Sequence, residues 1–203
     1  MTQAASRFTV DAGGILQTAR QVPSPNRDER PTGVSPNLVV IHGISLPPGV
    51  FGGDGVERLF TNTLASDEHV YYRSIAHLRV SAHFFARRDG ELIQFVSCHQ
   101  RAWHAGESSW QGRSHCNDFS IGIELEGADE IPYAQPQYVV LARLLRALRR
   151  RYPIGAAVGH SHIAAGRKTD PGPAFDWARL ARLARVPLLN LSDCEISVEH
   201  VRA

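Results

Sequence analysis

Apolar positions along the chain fall into short runs with different periods, and the periods predict the elements. Leu38-Val39-Val40-Ile41-His42 is continuous and β-branched, bounded by Pro36-Asn37 and Gly43, the pattern of a strand buried on both faces that ends on a histidine. Ser120 to Gly127 alternates instead, which turns Ile121, Ile123 and Leu125 inward and places Glu124 and Glu126 together on the other face. From Leu78 to Val96 two strands face each other across Arg87-Arg88-Asp89-Gly90, where Asp-Gly suits a tight hairpin turn. In that hairpin Val80, Ala82, Phe84 and Ala86 share one face, and Ser81, His83 and Phe85 the other.

Helical spacing recurs at three places. Val56, Leu59, Phe60 and Leu64 mark the first. Gln137 to Tyr152 is the second, with an apolar stripe of Tyr138, Leu141, Ala142, Leu145 and Leu148, Pro136 in the first turn and Pro153 as the stop. Its Arg143, Arg146, Arg149 and Arg150 read as a solvated face that also suits the helix C-terminus. Asp176 to Ala184 is the third. The segments between are loops: residues 22–31, with three prolines, should run extended over the surface, and 101–119, rich in Gly, Ser, His and Trp, should build a binding wall. Residues 22–185 are expected to form the core of a single domain spanning 1–203, with 1–21 and 186–203 peripheral.

Composition narrows the function classes. The 203 residues are 43% hydrophobic and 21% charged, those of an ordinary globular domain, and a net charge of +2 gives no electrostatic case for nucleic acid or an acidic membrane surface as partner. The N-terminus lacks the apolar run of a signal peptide and no stretch reaches the length of a membrane span, so a cytoplasmic location is expected. Cys98, Cys116 and Cys194 lack metal-finger spacing and read as reduced thiols.

The chemistry concentrates near the end of the chain. Val158 to Pro173 carries His160, His162, Lys168 and Asp170 in a segment whose Gly and Pro content favours a shaped loop over an ordinary helix. Lys168 is the single lysine among 22 Lys plus Arg, and a compact, titratable ammonium suits neutralising an oxyanion at short range better than a guanidinium does. His42, His160 and Asp170 fit a zinc centre with two imidazoles, one carboxylate and an open fourth position, a catalytic rather than a closed structural set. Glu124 would then serve as general base and Lys168 would stabilise the tetrahedral intermediate. His83 is a candidate for supporting or facing the site or, equally, a buried bonded histidine, and Trp103 offers a flat face for a sugar ring or peptide.

At these residues the chain closely resembles the zinc N-acetylmuramoyl-L-alanine amidases, the family that includes the recycling amidases of the bacterial cell wall and the peptidoglycan recognition proteins. The segments that carry the resemblance are Val22-Pro23-Ser24-Pro25, Val40-Ile41-His42, Arg79-Val80-Ser81-Ala82-His83, Arg101-Ala102-Trp103-His104-Ala105-Gly106, Cys116 to Gly127, and Arg167-Lys168-Thr169-Asp170-Pro171-Gly172-Pro173. The resemblance implies an α/β domain, a central mixed sheet flanked by helices. It implies zinc (Zn2+) on His42, His160 and Asp170, with catalysis by Glu124 and Lys168. It implies action on a small-molecule muropeptide that bears the 1,6-anhydro sugar, cleaved between the lactyl group and L-alanine, in peptidoglycan recycling and control of β-lactamase induction; a monomer is expected. Tyr71, Arg79, Trp103, His104 and Arg167 match substrate-binding positions. An amidase acting on intact peptidoglycan and a noncatalytic recognition module are the alternatives. Gly43, where the family commonly has Asn, and Ser161-His162 depart from the pattern.

Overall fold

The structure, a computed structural model, describes residues 7–184. In chain order the elements are β1 (Arg20–Gln21), β2 (Arg27–Glu29), β3 (Leu38–Ile44), α1 (Gly55–Phe60), α2 (Tyr72–Ile75), β4 (Phe84–Ala86) and β5 (Leu92–Gln94). There follow β6 (Gln100–Ala102), β7 (Ser109–Trp110), β8 (Arg113–Ser114), β9 (Ser120–Glu126), α3 (Gln135–Arg151), β10 (Ala156–Gly159), α4 (His160–Ile163) and α5 (Trp177–Ala184).

Six strands form one mixed sheet in the order β1-β5-β4-β9-β3-β10, so the fold is the expected α/β arrangement. Strand β3 runs parallel to both β9 and β10, β4 is parallel to β9, and β4–β5 is the antiparallel hairpin. The β-branched run from Leu38 buries both faces, as its lack of alternation requires: Val39 and Ile41 pack under α3 and α5, while Leu38 and Val40 join Val158, Phe119 and Ile163 on the other side. In β9, Ile121, Ile123 and Leu125 lie in the α3 layer as the alternation predicts, yet every residue of the strand is buried, the acidic face included. Of that face, Glu124 lines the cleft described below.

Several elements differ from the sequence reading, each for a tertiary reason. Strand β3 continues through His42 to Ile44, because β9 pairs with it over the full length. The hairpin strands are short, and Ala82 packs with Phe85 rather than with Phe84, since residues 78–83 are not in a strand. The 101–119 stretch is partly ordered: β6 pairs with β2 of the proline-rich segment, and β7 with β8. Residues 160–163 form a single helical turn despite the Gly- and Pro-rich surroundings. Residues 7–21 are not peripheral, since Phe8, Val10, Leu16 and Ala19 belong to the main core. The arginines of α3 explain that: Arg150 donates to the Phe8 carbonyl, Arg143 lies over the Phe8 ring, and Arg146 donates to the Leu183 carbonyl. Those arginines tie both ends of the described chain to α3 rather than facing water. Cys98 and Cys116 are free and buried; Cys194 and the expected peripheral tail from 186 lie outside the described residues.

Among the described residues, no helix is long and apolar enough to cross a membrane.

Candidate metal centre and its cleft

The carboxyl ends of the parallel strands β3, β9 and β10 open onto one cleft of about 480 Å³, the usual place for ligands in an open α/β sheet. Register does the first part of the assembly: His42 on β3 sits directly across from Glu124 on β9, both on the face opposite the α3 layer. His160 follows immediately where β10 turns into α4, and the loop beyond returns Asp170, whose backbone carbonyl accepts from the Ser161 N–H.

Three side chains from distant parts of the sequence thereby converge, with ligand atoms of His42, His160 and Asp170 within 4.8 Å of one another. His42 Nδ1 lies 3.0 Å from His160 Nδ1 and 3.1 Å from Asp170 Oδ2, and His160 Nδ1 is 3.2 Å from the same oxygen. His160 Nε2 sits 3.2 Å from the Ala105 carbonyl, which can only accept, so Nε2 carries the ring proton and Nδ1 presents a lone pair. Burial holds the His42 imidazolium down to about 4, so its ring is neutral at ordinary pH. Two imidazoles and a carboxylate aimed at one point are a donor set for a divalent cation of borderline softness, and the residues present fit that ion.

Glu124 stands beside this group, its Oε1 4.0 Å from His42 Nδ1. Its carboxyl is raised well above the ordinary value, first by burial and then by the Asp170 charge, with Lys168 opposing. Its Oε2 is buried without a hydrogen-bond partner, an acceptor left free toward the cleft group. Lys168 lines the same cleft and is exposed. Glu126, one pleat further on, does something different, for its carboxylate accepts from the Gly52 and Arg88 N–H groups and holds two loops.

Of the expected substrate contacts, Tyr71, Trp103 and His104 line the cleft. Arg79 and Arg167 do not: Arg79 donates to the His77 and Leu78 carbonyls, and Arg167 to those of Ala105 and Glu107. Both ring nitrogens of His104 are engaged by His42 and Ser120, which leaves it a ring face rather than a donor for a ligand. His162 is no ligand of the centre, for its Nδ1 accepts from the Gly159 N–H and its ring packs on Trp177.

Tyr133 is the residue that sequence reading missed. Buried at 4% exposure, it donates to the Pro171 carbonyl at 3.0 Å and so braces the residue next to Asp170. A Cβ at Gly43 or at Gly127 would collide with its hydroxyl or its ring. The departure at Gly43 is thus the space that Tyr133 fills, and no local pattern around 133 announces it.

His83 resolves to the bonded alternative. Its Nδ1 accepts from the Gly122 N–H at 3.0 Å, and its Nε2 donates to the Gln100 carbonyl at 3.0 Å. Arg30, half-buried and held by the carbonyls of Asn117, Asp118 and Ser120, brings its Nη2 to 3.1 Å from His83 Nε2. Burial first and Arg30 second hold the His83 imidazolium down to about 3, against 6.5 in an unfolded chain. Above pH 6.5 both states are neutral there; below it only the unfolded state takes the proton, so stability is lost progressively as pH falls toward 3. The expected loss is on the order of a few kcal/mol. Urea midpoints at about pH 7 and about pH 5 should show the drop. His83→Asn, which keeps an acceptor for Gly122, should reduce it, with the remainder carried by other buried neutral histidines such as His42; an unchanged pH slope in that variant would take His83 out of the account.

Comparison with known proteins shows what the chain is similar to. Residues 32–173 match the model of a family described as N-acetylmuramoyl-L-alanine amidase. The chain is 57% identical to the 1,6-anhydro-N-acetylmuramyl-L-alanine amidase AmpD of Citrobacter freundii over 84% of this chain and 92% of that one. It is likewise 57% identical to AmpD of Escherichia coli K12, over 82% and 92%. A crystal structure of a selenomethionine AmpD derivative superposes with a TM-score of 0.85 at 56% identity, covering 87% of this chain and 99% of that one. The amidase AmiD of Escherichia coli, solved with anhydro-N-acetylmuramic acid-L-Ala-D-gamma-Glu-L-Lys, superposes at 0.53 with 27% identity over 76% and 60%.

Proposed function

The chain belongs to the N-acetylmuramoyl-L-alanine amidase family, and from that premise we propose that it hydrolyses the amide between the lactyl group of 1,6-anhydro-N-acetylmuramic acid and L-alanine, as a zinc enzyme of peptidoglycan recycling. The observation that carries the reading is the convergence of His42, His160 and Asp170 beside a buried, partly unpartnered Glu124 in one cleft. The substrate comes from the relatives more than 50% identical, which are amidases of that muropeptide. Carried out in the cytoplasm, the reaction would lower the muropeptides that induce β-lactamase. In this reading the catalytic unit is a single domain that acts as a monomer.

Zinc held by His42, His160 and Asp170 would supply Lewis-acid polarisation of the scissile carbonyl and acidify the attacking water. The chain's own residues do the rest. Glu124 takes the proton of that water, a role suited to a carboxylate whose burial has raised its basicity, and then returns it to the departing alanine nitrogen. Lys168 places its ammonium at the mouth of the cleft, where the negative charge of the tetrahedral state develops. Tyr71 and Trp103 form the wall for sugar and peptide, with His104 offering its ring face. The exposed Arg79 holds a peptide carboxylate at the rim once its guanidinium leaves the carbonyls it now caps, and Arg167 braces the 105–107 backbone behind the site.

Lys168→Ala should lower kcat on the order of 10²-fold with zinc content unchanged, and Lys168→Arg should restore little of it, because a planar fork cannot occupy the same short-range position. Near wild-type rates in the arginine variant would leave Lys168 out of the chemistry.

Mass spectrometry of products from anhydro-muramyl tripeptide, with and without chelator and with sacculi in parallel, tests the function. Free L-alanyl peptide from the anhydro substrate, abolished by chelation and slight on sacculi, is the expected result. Strong release from sacculi with none from the anhydro substrate would move the assignment to intact peptidoglycan, and zinc uptake without any cleavage would make the protein a recognition module.

A further inference from the structure

We propose that His104 and Ser120 are positioning residues that set the tautomer of the ligand His42, so that its Nδ1 is kept bare for the metal; this rests on the metal reading of the centre given above.

The row of hydrogen bonds starts at an atom with only one possible role. The Cys116 carbonyl oxygen can only accept, and Ser120 Oγ lies 2.6 Å from it, so the serine hydroxyl spends its proton there. Ser120 Oγ is then an acceptor for its other neighbour, His104 Nε2 at 3.1 Å, which must carry a hydrogen. In a neutral ring that leaves His104 Nδ1 bare. His42 Nε2, 3.0 Å away, is therefore the donor to it, and the lone pair of His42 falls on Nδ1, the atom facing Asp170 Oδ2 and His160 Nδ1. Each proton in the row points away from the centre.

The row is held rigidly. A Cβ at Gly122 would run into the His104 ring, so the ring lies flat against the β9 backbone, and Asn117 Oδ1 accepts from the His104 and Ala105 N–H groups. Ser120 is fully buried and is not among the residues that line the cleft. His160 reaches the same outcome by a shorter route, a direct donation to the Ala105 carbonyl. Among the described residues, His42 has no such backbone contact at Nε2 and reaches two side chains in turn, His104 and then Ser120. Partners of this kind commonly change metal affinity by about 10–100-fold.

Deleting the Ser120 hydroxyl strands the His104 Nε2–H. His104 can then move its proton to Nδ1, where it opposes the His42 Nε2–H and drives the His42 proton onto the ligand atom. The test uses full-length protein labelled with 15N-histidine, stripped of metal, and two-bond proton–nitrogen correlation spectra that distinguish the tautomers directly. Wild type should show His42 and His104 as Nε2–H tautomers. Ser120→Ala should shift both toward mixtures and weaken zinc binding about 10–100-fold in competition with a chromophoric chelator. His104→Asn, whose amide oxygen can replace Nδ1 as acceptor, should keep more affinity than His104→Phe. An Nδ1–H tautomer at His42 in the wild type would overturn the proposal, as would wild-type zinc affinity in folded Ser120→Ala and His104→Phe. Wild-type protein with the expected tautomers but no zinc uptake would instead overturn the metal reading beneath it.

Discussion

Replacing Glu124 with glutamine is expected to lower kcat/KM on the order of 10³-fold while leaving zinc content and fold intact, the range in which a positioned general base contributes. Glutamine keeps the shape of the side chain but cannot take a proton from water. Because Oε2 has no hydrogen-bond partner, the substitution breaks no bond that holds the site together. The wild-type carboxylate is buried and faces the Asp170 charge, which makes ionised Glu124 unfavourable to the folded state. The variant should therefore melt at the wild-type temperature or a few degrees higher, the ordinary exchange of stability for function at a strained site. Steady-state rates, zinc content and a thermal scan on one preparation check all three. A drop of less than about 10-fold, with zinc retained, would take the base role away from Glu124.

His160→Ala should abolish both zinc retention and turnover, a loss on the order of 10³-fold or more in rate, since it removes one of the three proposed ligands and with it the proposed Lewis acid. The rest of the domain should survive, because His160 sits at the end of β10 and the strand pairs with β3 through Ala156 to Gly159. Zinc added to metal-free wild type should raise the melting temperature by preferential binding to the native state, and the variant should show no such rise. An equal rise in both proteins would place the ion elsewhere, and full activity in the variant would refute the centre altogether.

Much of this is legible in the residues alone. A β-branched run without alternation can only be a strand covered on both sides, and it is β3; alternation through Ser120–Glu126 puts Glu124 on the face opposite Ile123, where it stands. The stripe of α3 and the Asp-Gly hairpin follow local period and turn chemistry in the same way. The candidate ligands can be named because imidazoles and carboxylates beside strand ends and in a stiff loop are few in one chain.

What the sequence determined by itself was therefore the set of elements, their inward faces and the list of reactive groups, all properties carried by periods of about two and about four residues and by residue type. Only the tertiary structure decided which groups meet. The β3–β9 register sets His42 across from Glu124, Tyr133 closes over Gly43 and Gly127, and the guanidinia of Arg79 and Arg167 turn to backbone carbonyls outside the cleft. The hydrogen-bond row from Cys116 through Ser120 and His104 to His42 belongs to the same class. The physical reason is one of range: a period is a local property of the chain, whereas strand register, buried hydrogen-bond partners and the position of a ring proton are set by atoms that are neighbours only after folding.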